Sequence, residues 1–264
     1  MVDIEFMNSP TVIYEEGKRT ILNVGDLTSC NETSQGDVFA NVKEYKKYVD
    51  KIERDVRGSY EYRLLIEYLK YAENMTTCAF LQNVSNIDHP EIKIEIHHSP
   101  FTLYDITDAV LRRRAHNKLP IDIWDVGLEI MWLHFMGFVG LVPVCKTVHE
   151  LIHNRFLFVP THIVRGFYKV FVKLYDGYIN PETLDALDNV EIVTEDYLKN
   201  PTDPESPVNL QMQIFNIHPT YVQYTNVNPV NELPNAWILL KNRVTALSKN
   251  KKLMYRLVDT INKK

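Results

Sequence analysis

The sequence predicts an α+β chain, and three observations carry that expectation. Several stretches place apolar residues at spacings of three and four, the period of an amphipathic helix. Shorter stretches alternate apolar and polar residues, the period of a strand with one buried face. No internal repeat runs through the chain, so a stack of identical units is not implied.

Taken in order, residues 1–40 alternate short apolar runs (Thr11 to Tyr14, Thr20 to Val24) with turn residues and read as short strands and loops. Residues 41–56 and 59–74 read as two helices broken at Gly58-Ser59. In the second, Tyr60, Leu64, Leu65, Tyr68 and Tyr71 form one stripe. Thr77 to Leu81 reads as a strand, Asn86 to Pro90 as a turn, and Ile92 to His97 as an alternating strand. Residues 105–117 and 121–136 read as helices on either side of Lys118-Leu119-Pro120, with Asp105 as a candidate cap. A short apolar strand follows at Leu141 to Cys145, then a short helix over 146–154 and a longer one over 161–178. The acidic stretch 180–207, which ends in Pro201, Pro204 and Pro207, reads as a linker. Asn209 to Asn216 alternates and reads as a strand, and the tail from Pro234 reads as a basic helix. The expected division is an N-terminal part (1–75), a central core (76–160) with the two helices of 105–136 inserted, and a C-terminal extension (161–264).

Composition excludes several classes. The 264 residues are 45% hydrophobic and 24% charged, which is globular rather than disordered or collagenous. Three cysteines (Cys30, Cys78, Cys145), none in a CxxC pair, do not make a disulfide scaffold or a four-cysteine zinc site. Reduced thiols suit an intracellular protein. No run of 18 uncharged apolar residues occurs, and the opening MVDIEFMNSP lacks the basic and apolar regions of a signal peptide. A cytoplasmic location without membrane contact is therefore expected.

The net charge of −5 argues against a protein that coats nucleic acid without specificity. The charge is unevenly placed. Seven acids and two bases fall in residues 1–40, eight bases and one acid in residues 241–264, and Arg112, Arg113 and Arg114 form a cluster with Lys118 nearby. These clusters are either solvated helix faces or local contacts to a polyanion.

Two patches carry chemistry. In the first, Glu95-Ile96-His97-His98-Ser99-Pro100, adjacent imidazoles at a strand end aim in different directions, so one can hold a metal while the other stays free as a base. In the second, Leu141 to Asn154, His149 and His153 are four apart. On a helix they share one face about 6 Å apart, which suits two nitrogen ligands on one divalent ion. The remaining histidines read as structural; His134 lies among Trp132, Leu133, Phe135 and Met136 and is expected to be a satisfied core residue.

The order of these parts resembles the ββα-metal finger of the HNH (His-Me finger) endonucleases, phage and bacterial type. A strand ending in Glu-x-His-His looks like the nuclease domains of DNase colicins, and LVPVCKTVHELIH looks like the second half of the HNH pattern. The resemblance covers roughly residues 76–155. It implies a ββα-metal finger with a helical insertion, and a metal-dependent endonuclease acting on nucleic acid, DNA in the first place. Under it, His98 matches the general base, His97, His149 and His153 a metal cage, and Glu95 an acid that orients a ligand. One divalent ion (Mg, Mn, Zn or Ni, not distinguished) would act on the scissile phosphate. Arg112, Arg113, Arg114 and Lys118 are the expected phosphate contacts. The chain departs from the pattern at Gly140, where many HNH proteins carry Asn, and at Cys145, which has no CxxC partner. The alternative is a finger kept as scaffold in a phage or host nucleoprotein assembly.

Overall fold

Asn41 starts the first described helix. Its side-chain oxygen accepts from the Lys43 N–H at 2.9 Å and so satisfies a donor the helix leaves orphaned. In the computed structural model, Phe39 and residues 41–217 are described, Gln82 excepted. The strands expected within residues 1–40 and the basic C-terminal helix lie outside them. The described elements run α1 (Val42–Gly58), α2 (Tyr60–Tyr71), β1 (Ile94–His98), α3 (Leu103–His116), α4 (Ile123–Phe135), β2 (Leu141–Cys145), α5 (Lys146–His153), a 3₁₀ turn (Thr161–Ile163), α6 (Tyr168–Leu174), α7 (Pro181–Lys199) and α8 (Pro207–Phe215). The class is α+β: among the described residues, many helices and one two-stranded antiparallel sheet.

The described residues divide into two compact units, one holding 41–65 and 106–136, the other 66–105 and 137–217. In the first, α1 turns Val49, Ile52 and Val56 inward against α4, whose Gly127 leaves room for the Val56 side chain. A charged pair is buried there as well. Arg114 Nη1 donates to Glu129 Oε2 at 2.6 Å, and Arg113 reaches the other carboxylate oxygen at 3.4 Å. His134 is 3% exposed, with Nδ1 2.7 Å from the Ile130 carbonyl, as expected of a satisfied core histidine.

In the second unit, β1 and β2 pair antiparallel with Ile94 opposite Cys145 and His98 opposite Leu141. Its core joins Phe80, Ile94, Val142, Val144, Val148, Val159 and Ile163. β2 is buried along its whole length because chain covers it from both sides. On the side away from β1, Pro143 accepts from the Ala79 N–H at 2.8 Å, and Leu141 exchanges two backbone hydrogen bonds with Arg165.

Four expected elements differ. Thr77 to Leu81 is not a strand: the chain folds back at once, the Cys78 N–H donating to the Val84 carbonyl, and only the Thr77–Ser85 bridge forms. The helix expected over 161–178 is split, because residue 165 is drawn into its bridge with Leu141 and Gly166 takes φ +110° beside the Val139 carbonyl. The stretch 180–207 is no linker. Asn180 caps α7 and Pro181 occupies its first turn, so the acidic residues coat a 19-residue helix. Finally, 209–216 is helical. Pro207 opens α8, and Val208, Gln211 and Met212 turn inward at helical spacing.

Candidate metal centre

α5 is an eight-residue helix whose phase fixes the site. Val148, Leu151 and Ile152 pack on the core of the second unit, which leaves His149 and His153 together on the flank of the helix. Its C-terminus closes with Arg155 at φ +60°. The Phe156 N–H bonds back to Leu151 and the Arg155 N–H to Ile152, so the last turn is pinned. β1 supplies the other half. Strand alternation sends Glu95 and His97 to one face, Ile94, Ile96 and His98 to the other.

His97, His149 and His153 meet, with one ring nitrogen of each within 4.8 Å of the others. The Nε2 atoms of His149 and His153 are 2.9 Å apart. The His97 ring stands edge-on to both, with centroids 5.0 and 5.3 Å away. Nitrogens about 2 Å from a tetrahedral zinc ion lie about 3.4 Å from one another, so small ring rotations suffice to hold one. Burial grades from His97 (buried) through His149 to His153 (exposed), so the cluster opens to solvent on one side.

Glu95 orients the centre. Its Oε2 lies 2.5 Å from His149 Nδ1, and its Oε1 takes a 2.6 Å ion pair from Lys93. Lys93 chiefly, and His149 after it, hold the Glu95 carboxyl below the usual range against the opposing effect of burial. With Nδ1 committed as donor, His149 presents Nε2 to the cluster.

Of the expected site residues, the fold brings His97, His149, His153 and Glu95 together. It turns His98, 5% exposed, to the opposite face of the sheet. Arg113 and Arg114 are buried in the first unit and spend their charge on Glu129, while Arg112 pairs with Asp108 at 2.7 Å. Lys118 sits in the turn after α3 with φ +56°. Gly140 has its own reason. A Cβ there would lie 1.9 Å from the Ser99 carbonyl oxygen and 2.7 Å from Val164, so no side chain, Asn included, fits the position.

Sequence reasoning passed over Glu150. His149-Glu150-Leu151-Ile152-His153 is H-E-x-x-H on a helix, the zinc peptidase signature, in which the glutamate is the general base. Its carboxylate is 62% exposed and 3.7 Å from Lys146.

The profile of the Bacteriophage G278-like virion protein family matches residues 7–226. The chain belongs to that family. The phage connection expected from the finger resemblance is thereby shown, without any HNH assignment. The chain is also similar to the zinc metalloprotease RasP of Oceanobacillus iheyensis, 27% identical over 157 residues, which is 59% of this chain and 32% of that protein. It thus spans about a third of that relative's length. No solved structure matches the chain. Among the described residues, no helix is long and apolar enough to cross a membrane.

Proposed function

We propose that this member of the virion protein family is a metal-dependent hydrolase of the zinc peptidase kind, with His97, His149 and His153 as ligands and Glu150 as general base. The observation that carries the reading is the convergence of the three imidazoles with Glu150 directly following the first helical one. The donor set fits: three ring nitrogens, one fixed in tautomer by a carboxylate, leave one of four positions open. The similarity to a zinc metalloprotease favours zinc and an amide substrate.

A bound ion there would polarise the scissile carbonyl and make the attacking water more acidic. Glu95 holds the His149 ring by its Nδ1–H. Glu150 takes the proton of the attacking water and returns it to the leaving amine. Its exposure suits a base that reaches for substrate from the rim rather than one sealed in the core.

A second reading keeps the nuclease. The order β1, β2, α5 around the three histidines favours it, with nucleic acid, DNA first, as substrate; His98, its expected base, would first have to turn from the other face of the sheet. The two readings place the base on different residues. Zinc-loaded protein is assayed on unstructured polypeptide and on supercoiled plasmid, beside Glu150→Gln and His98→Ala. The peptidase reading expects peptide cleavage that falls about 100-fold or more in Glu150→Gln and survives in His98→Ala. Plasmid nicking lost in His98→Ala, without peptide cleavage, selects the nuclease. Neither activity leaves a binding component of the particle.

A further inference from the structure

Two of the three cysteines lie outside the metal centre but adjoin the helix that carries it. Cys145 ends β2 and occupies the N-cap of α5, 6% exposed. Cys78 is 1% exposed in the same core cluster as Cys145, and the two thiols lie near enough to shift one another's acidity. The backbone holds the two segments together independently of the sulfurs: the Ala79 N–H donates to the Pro143 carbonyl at 2.8 Å, two residues before Cys145. Both cysteines are free thiols.

We propose that Cys78 and Cys145 form a peroxide-sensitive dithiol that closes to a disulfide across the start of α5. Cys145 is the attacking sulfur and Cys78 the resolving one. The contact with the Cys78 thiol lowers the Cys145 thiol below its ordinary range. The N–H groups of Thr147 and Val148 add to this without forming a formal capping bond, and burial opposes. The same thiol–thiol contact, with burial after it, pushes Cys78 up against the backbone N–H groups of Cys145 and Phe80, so Cys78 keeps its proton.

The step balances with hydrogen peroxide as oxidant. The Cys145 thiolate attacks one peroxide oxygen, the O–O bond breaks, and the departing hydroxide takes up a proton as water. The Cys145 sulfenic acid is then attacked by the Cys78 sulfur. The S–O bond breaks, the S–S bond forms, and the Cys78 proton leaves with the oxygen as a second water. Two thiols are oxidised by two electrons and one peroxide is reduced. Peroxide is small enough to reach a sulfur that is nearly buried.

This site stands apart from the hydrolase reading, because its test needs neither metal nor activity. Folded full-length protein is treated with millimolar peroxide, alkylated in denaturant and digested with trypsin. The expected product is one cross-link between the peptides spanning residues 71–93 and 119–146, two hydrogens lighter than their sum and released by dithiothreitol. It persists in Cys30→Ser. In Cys78→Ser the cross-link is replaced by sulfenic acid at Cys145. Cross-links through Cys30, sulfinic acid at Cys145 in the wild type with Cys78 still alkylated, or three unreacted thiols would each overturn the proposal.

Discussion

The Nδ1 atom of His149 lies 2.5 Å from Oε2 of Glu95, and its Nε2 lies 2.9 Å from that of His153. One carboxylate on a strand thus decides which nitrogen a helix offers.

Glu95→Gln keeps the shape and removes the charge. The amide can still accept from Nδ1–H, but it no longer raises the basicity of the ring. Zinc affinity is expected to fall about 10-fold to 100-fold while the helical circular dichroism stays unchanged. Competition against a chromogenic chelator measures it, and wild-type affinity in the variant removes Glu95 from the role.

Gly140→Ala tests the close approach behind the hairpin. The added Cβ collides with the Ser99 carbonyl, which is backbone and cannot swing aside. A loss of about 3 kcal/mol or more is expected in urea unfolding. A loss below about 0.5 kcal/mol would mean that the β1–β2 end opens easily.

His134 makes a prediction in pH. Burial holds its imidazole down to about 4 against an ordinary value of 6.5, so the folded protein keeps the ring neutral where the unfolded chain protonates it. The neutral form costs nothing above pH 6.5. As pH falls from there toward 4 the unfolded state gains protons first, and stability declines by about 3 kcal/mol. His134→Phe should flatten that part of the profile. An equal slope in the two proteins would place the acid sensitivity elsewhere.

The hairpin and its helix were legible in the sequence because each has one unambiguous period and a short connection. Alternation alone already sets His97 and His98 on opposite faces. The i,i+4 spacing brings His149 and His153 together before any fold is known. Other features depend on partners distant in sequence. Nothing near Arg113 and Arg114 signals Glu129, a helix away, so a buried ion pair reads as a basic surface. Prolines at 181 and 207 open helices, although clustered prolines and acids read as a linker. Glu150 escaped because the i,i+4 histidine spacing alone says nothing of the residue between them, which the proposed peptidase reading makes the base.

Metal stoichiometry tests the central claim most directly. Protein refolded or expressed with zinc, desalted, and measured by inductively coupled plasma mass spectrometry should carry about one zinc per chain. His97→Ala and His149→Ala should each carry less than a tenth of that, and Glu150→Gln should stay near one. Metal-free wild type, or histidine variants that load as well as it does, would contradict a centre built from these three rings.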